Sequence, residues 1–222
     1  MFNAFYLIIS LLYITDMLLL VPKYTRCKYD HTPRKKKLLW KAACIAVPLL
    51  ILIFGVTVLY IAGYGDANMI LLCAGMALCA AGDIVIEVRF FRGGLLFGFA
   101  HIVYITAMFL IGNEIHAASI VCFLILVILG TALSIKYLGK KYRLMWIIYN
   151  LVISASFAMG LSGIFTGEPG RVLMGYGVIS LVLSDWLLAR NKAFGSTYGW
   201  SLISLILYFG GQMMISAFPY LS

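Results

Sequence analysis

Stretches of mostly apolar residues, each about 20 long, follow one another along this chain with only short loops between them. That succession leaves few folds open. At 1.5 Å per residue, a helix of about 20 residues crosses the hydrocarbon core of a bilayer. In lipid, backbone N–H and C=O groups must bond within their own segment or in a closed barrel. The runs are continuous and do not alternate between polar and apolar, so they read as helices and not barrel strands. The approximate spans are 2–22, 38–62, 67–88, 94–112, 115–135, 144–165, 171–190 and 199–218. The expected fold is all-α, a single transmembrane domain over 1–222 with about eight helices in a polytopic bundle. Charged residues make up 11% of the chain, against roughly a quarter in a soluble domain, so no soluble domain is expected.

The first run begins at Phe2, with no basic residue before it and no small-x-small cleavage site, and reads as a first spanning helix and not a removable signal. Cys27, Cys44, Cys73, Cys79 and Cys122 are scattered, mostly inside apolar runs, and form neither a disulfide framework nor a zinc-type spacing.

The loops set the orientation. The first holds Lys23, Arg26, Lys28, Arg34, Lys35, Lys36, Lys37 and Lys41, the third Arg89 and Arg92, the fifth Lys136, Lys140, Lys141 and Arg143, the seventh Arg190 and Lys192. On the other side stands Arg171 alone. The positive-inside rule makes the odd loops cytoplasmic, and eight helices then put both termini on the outer side. The net charge of +9 is thus a topology signal and not a nucleic-acid surface. The basic run at 34–37 also suits contact with anionic lipid heads. A bacterial inner membrane or the endoplasmic reticulum both fit; the oligomeric state is not legible.

Four acidic residues fall in loops (Asp30, Asp66, Glu114, Glu168) and four within spans (Asp16, Asp83, Glu87, Asp185). A carboxylate at membrane depth is costly, so such residues usually face a cavity and have a task. Asp83 lies six residues before the inner end of the third helix, roughly 9 Å deep. Asp185 has a similar depth in the seventh helix, Asp16 in the first, His101 in the fourth and Tyr149 in the sixth, with Lys41 at the inner mouth of the second. Six polar side chains from six helices share one layer in the cytoplasmic half. Helical spacing aligns Phe97, His101 and Tyr104 on one stripe, Tyr208 and Gln212 on another, and Asp83 and Glu87 on a third.

Structural roles stand beside the functional ones. Glu87 can snorkel beside Arg89 or Arg92, and Asp16 can pair with a base at the inner surface. Asp83 and Asp185 can form buried salt bridges with Lys41 or Arg190. Tyr104, Tyr149, Tyr208 and Gln212 can serve as interhelical hydrogen-bonding groups, and Gly75, Gly82, Gly93, Gly94 and Gly98 as close-packing points. Gly82-Asp83 with Arg89 and Phe91 also echoes Ser184-Asp185 with Arg190 and Phe194, four helices on, so a duplicated four-helix unit is conceivable.

Gly82-Asp83-Ile84-Val85-Ile86, followed by Phe91, Gly94, Phe97, His101 and Tyr104, resembles the central motif of the lysoplasmalogenase (YhhN-like) membrane family. Ser184-Asp185-Trp186-Leu187-Leu188-Ala189 with Phe194 resembles its second acidic motif, Lys41 with Pro48 its second-helix pair, and Tyr208 with Gln212 its closing motif. The resemblance runs from about residue 38 to 215; the long basic first loop is less typical of it. It implies a hydrolase that cleaves the vinyl ether bond of lysoplasmalogens to a fatty aldehyde and glycerophosphoethanolamine or glycerophosphocholine.

That chemistry needs a proton donor for the alkene carbon, a negative group beside the oxocarbenium ion, and a base for water, as paired carboxylates provide for glycosides. Burial and a neighbouring like charge would keep one of two acids protonated. Asp83 and Asp185 are the expected acid–base pair, in either order. His101 and Tyr104 would orient a carboxylate or the water. Lys41, helped by Tyr149, would hold the lipid phosphate, and Tyr208 and Gln212 would line the cavity. No cofactor or metal is required, and the expected partners are a lysophospholipid substrate and membrane lipids. Three other classes use the same residues: a lipid or proton-coupled transporter, a lysolipid-binding protein without chemistry, and an ester hydrolase for which Ser184, without a GxSxG elbow, is the faint nucleophile.

Overall fold

The structure is a computed structural model, and it describes residues 11–30, 32–61, 63, 67–137 and 140–221. Residues 2–10 of the expected first span, His31 and Asp66 lie outside the described residues. Helix α1 covers residues 11–29 and includes a wide π turn at Asp16–Leu20 followed by Val21–Tyr29. The others are α2 (Arg34–Ile61), α3 (Ala67–Ile86), α4 (Phe90–Leu110), α5 (Ala117–Tyr137), α6 (Lys140–Phe165), α7 (Pro169–Phe194) and α8 (Tyr198–Ser216), with a 3-10 turn at Phe218–Tyr220. Seven of them, α2 to α8, are long and apolar enough to cross a membrane. The chain is a multi-pass, all-helical membrane protein.

Two boundaries differ from the sequence expectation in a way that shapes the site. The first helix does not stop at 22; Lys23, Arg26 and Lys28 are helical. Pro22 has no N–H to give the helical ladder, and it sits where the π turn has already widened that ladder. The basic run 34–37 is the first turn of α2 and not loop, because the Pro33 carbonyl accepts from the N–H groups of Lys36 and Lys37. That early start puts Lys37 and Lys41 one turn apart on one helical face.

Chain neighbours pack together except at α4, which passes over α5 to pack on α6, and the ring α2, α3, α4, α6, α7, α8 closes through the contact of α8 with α2. Helix α1 lies against α8 and α2, and α5 packs chiefly on α6. Only 11% of the α5 span is buried, against 61% for the span that begins with α8, which packs on α1, α2, α3 and α7. Lipid offers no hydrophobic drive between helices, so close backbone approach and polar contacts hold such bundles together. At the α7–α8 crossing, a Cβ on Gly177 would lie 2.8 Å from the Gly211 carbonyl oxygen. Of the five glycines singled out in the sequence, Gly75 makes room for the Tyr104 ring, Gly82 for Phe97 and Gly93 for Ile86, and Gly98 lies in ordinary contact with Tyr149. Gly94 faces open space and packs against nothing.

Gly177→Ala is therefore expected to destabilise the bundle by about 1–3 kcal/mol, the usual cost of overpacking against backbone that cannot yield. Gly94→Ala should leave the melting temperature in detergent unchanged or slightly raised. Equal melting of the two variants would contradict this account of the α7–α8 crossing.

Candidate functional site

Buried polar side chains gather where α2, α3, α4, α6, α7 and α8 meet. Asp83 is 5% exposed and Asp185 6%, too little for water to solvate either charge, so each carboxylate must find partners in the protein. They find them separately.

Asp83, on α3, faces α2 and α8. The Lys41 ammonium lies 3.2 Å from Asp83 Oδ1 and donates at 2.7 Å to the Asp83 backbone carbonyl. Tyr208 donates its hydroxyl to Asp83 Oδ2 at 2.6 Å. One turn further on, just past the end of α3, Glu87 lies 3.3 Å from Lys41 and 2.6 Å from Lys37, and accepts the Tyr24 hydroxyl from α1 at 2.7 Å. Two lysines one turn apart on α2 thus meet two carboxylates four residues apart, one on α3 and one just beyond it. Glu87 does not snorkel toward Arg89 or Arg92; the lysines and Tyr24 hold it against the bundle.

Asp185, on α7, faces α4 and α6. His101 Nε2 lies 2.9 Å from Asp185 Oδ2, and Tyr149 donates to the same oxygen at 2.6 Å. The other ring nitrogen, His101 Nδ1, lies 2.9 Å from the Ser156 hydroxyl, which fixes the imidazole at both ends. Arg190 is not the partner of Asp185; it bonds Asn191 and the Gly195 carbonyl and lies over Trp200.

The expectation of two like charges facing each other is corrected here. Each acid has its own base and its own tyrosine; Asp185 lines two large grooves, and Asp83 lines a separate small void. Between them stand Cys79, within electrostatic reach of both carboxylates, and Tyr104, which donates to Gln212 Oε1 at 3.2 Å. Phe97 packs edge-on against Tyr208, ring centres 5.8 Å apart.

Two apolar grooves reach the Asp185 side. One, of about 340 Å³, runs between α4 and α6 past Phe90, Phe91, Leu95, Phe97, Phe99 and Ile102, bounded by Trp146, Tyr149 and Asp185. The other, of about 460 Å³, lies among α5, α6 and α7 and shares Trp146, Tyr149 and Asp185. Both volumes fall in the range of small-ligand sites. The first groove spans residues 90 to 102 of α4, roughly 18 Å along the axis, starting at the end that carries Arg89 and Arg92.

Lys41, Asp83 and Tyr208 form one constellation, His101, Asp185 and Tyr149 another, and Tyr104 and Gln212 lie between them. Asp16 does not pair with a base: it is fully buried on the π turn, and the group at its carboxylate is the weakly donating Cys44 thiol. Ser184 is bonded to the carbonyl and hydroxyl of Ser204, an interhelical clasp that does not activate a nucleophile. Among the described residues, no group of three or more His, Cys, Asp or Glu is placed to hold a metal ion. Sequence reasoning missed Tyr24, Lys37 and Ser156. The signal for Lys37 was its spacing of four from Lys41, matching that of Asp83 and Glu87; a serine in an apolar helix gave none.

Glu87 lies just past the end of α3. Burial acts to raise its carboxyl, but Lys41, Lys37 and the Tyr24 hydroxyl overcome this and hold it at about 2, down from 4.5. Its contribution to stability is thus complete above about pH 4.5 and is lost as pH falls toward 2. It should amount to something on the order of 1–2 kcal/mol after solvent screening. Thermal unfolding in detergent between pH 5 and pH 3 should show a steeper acid loss for the wild type than for Glu87→Gln. Parallel curves would contradict the assignment.

The model of the YhhN family matches residues 37–218, and the chain belongs to this family, which includes lysoplasmalogenases. No curated protein and no solved structure matches the chain.

Proposed function

From that membership and the geometry of the two constellations, we propose that the chain hydrolyses the vinyl ether bond of lysoplasmalogens by carboxylate acid–base catalysis. The products are a fatty aldehyde and glycerophosphoethanolamine or glycerophosphocholine. One observation carries the reading: the carboxylate of Asp185, held by His101 and Tyr149, stands where two lipid-facing apolar grooves meet. An alkenyl chain lying in a groove brings its ether linkage to Asp185, the one acid among the described residues that line either groove.

His101 Nε2 lies 2.9 Å from Asp185 Oδ2, and in this reading the pair holds the acidic proton. That proton passes to the outer alkene carbon, and the electron pair of the double bond forms the new C–H bond. The resulting oxocarbenium ion sits beside the carboxylate left behind, which stabilises it. Water adds to the cationic carbon and gives up one proton to the second acid, Asp83. The hemiacetal then collapses, its hydroxyl proton replaced by one on the departing glycerol oxygen, and the proton taken by Asp83 is returned to Asp185 through solvent. Lys41 is committed to Asp83 and Glu87, and Tyr149 to Asp185. In this reading both position the acids. The lipid phosphate falls to a base at the groove mouth, where the Lys192 ammonium lies over the Phe90 ring at 5.0 Å.

Purified wild type in detergent is expected to release fatty aldehyde from lysoplasmalogen. Asp83→Asn and Asp185→Asn, still folded, should lose about 100-fold or more, the scale of general acid–base catalysis. Near-normal release from either variant removes that residue from the mechanism. Intact lysolipid after incubation with wild type points instead to binding or transport.

A further inference from the structure

On the Asp83 side, a small void lies among α2, α3 and α8, bounded by Pro48, Met76, Cys79, Asp83, Tyr208 and Gln212. Its volume is about 10 Å³, close to the room that one water molecule needs. Gln212 is 2% exposed, and its Nε2 meets no oxygen or nitrogen acceptor among the described residues, only the weakly accepting Cys79 thiol near it. Tyr104 donates to Gln212 Oε1, so the amide group is oriented and its NH2 points away from Tyr104. A buried amide donor is costly to leave unpaired, and natural structures pair nearly all of them with protein or water. Across the same void, Asp83 accepts Lys41 on one oxygen and Tyr208 on the other, and each oxygen keeps a lone pair.

We infer that this void is a water site, in which Gln212 Nε2 donates to the water and the water donates to the Asp83 carboxylate, and that this water is the nucleophile of the proposed hydrolysis. The inference rests on that reading and locates its nucleophile. Asp83, with the Lys41 ammonium as counter-ion and a place on the wall of the small void, is the base. Asp185, open to the lipid-facing grooves, is the acid. In the step itself the water oxygen bonds the cationic carbon, the C=O π pair returns to the ether oxygen, and one water proton goes to Asp83. Two packed rings stand between the compartments, Phe97 lining the first groove and Tyr208 the void, and the water reaches the cationic carbon when this pair parts. Gln212 is thereby a catalytic residue, in contact with a reacting atom.

Two measurements test this. A high-resolution structure of the full chain in lipid nanodiscs is expected to show ordered density within hydrogen-bonding distance of Gln212 Nε2 and an Asp83 oxygen. An empty void there overturns the water site whatever the activity. In kinetics, Gln212→Met keeps the side-chain length without the donor and should lower kcat about 100-fold with KM within about twofold. With methanol as a competing nucleophile, Gln212→Ala should raise the share of mixed methyl acetal over aldehyde several-fold, because the wider void admits it. A fall in rate with an unchanged acetal share means that Gln212 only supports the fold, and overturns its role in holding the nucleophile. If wild type releases no aldehyde, the hydrolase reading falls and the role as nucleophile falls with it. The density alone then decides whether the void holds water.

Discussion

Charge enclosed by lipid-facing helices has to be answered by charge, because neither lipid nor the apolar core can solvate it. Lys41 gives that answer for both Asp83 and Glu87, and Lys37 adds a second contact to Glu87. The four residues sit one turn apart in pairs, so α2 and α3 have one register in which every charge is met. Sliding either helix by one residue would rotate its pair away from the other by about 100°. Apolar packing between helices in lipid has little power to choose among registers; this ladder does choose. Tyr24 and Tyr208 bring α1 and α8 to the same carboxylates, so four helices are located by one polar cluster.

The second cluster repeats the plan of the first four helices later. Asp83 on α3 takes a base from α2 and a tyrosine from α8. Asp185 on α7 takes a tyrosine from α6 and a base from α4. Counting four helices on, α3 corresponds to α7, α2 to α6, and α4 to α8, and the partners come from corresponding helices with base and tyrosine exchanged. Packing follows the same scheme: α3 lies on α4 as α7 lies on α8, and α2 touches α8 as α6 touches α4. The short echo between Gly82-Asp83 and Ser184-Asp185 in the sequence is thus matched by an echo in three dimensions.

Much of this was legible before any coordinates. Length and polarity of the apolar runs fix the helices, since lipid permits little else, and the layer holding Lys41, Asp83, His101, Tyr149 and Asp185 follows from counting residues from the helix ends. Tyr208 and Gln212 were picked out by their shared stripe. What could not be read is which polar group meets which. Spacing along one helix says nothing about rotation against its neighbours, so Asp83 and Asp185 looked equally able to face each other or separate bases. The extension of the first helix through Lys23–Tyr29 was hidden for a related reason. Its basic residues read as a loop when counted for topology, although Lys and Arg are good helix formers.

Separate nests for the two acids suit an asymmetric reaction better than a shared hollow would. A close carboxyl pair holds one proton between equivalent partners, and either can donate it. Here the surroundings remove that equivalence. Asp185 meets an imidazole, which can exchange a proton with it, and opens on grooves lined almost wholly by carbon. Asp83 meets an ammonium group, which cannot accept a proton, and borders a space too small for a lipid chain. Vinyl ether cleavage makes the same division: protonation happens on carbon, in the apolar chain, whereas proton removal happens on water. The helices around Asp83 leave a space of about 10 Å³, and those around Asp185 leave grooves of about 340 and 460 Å³.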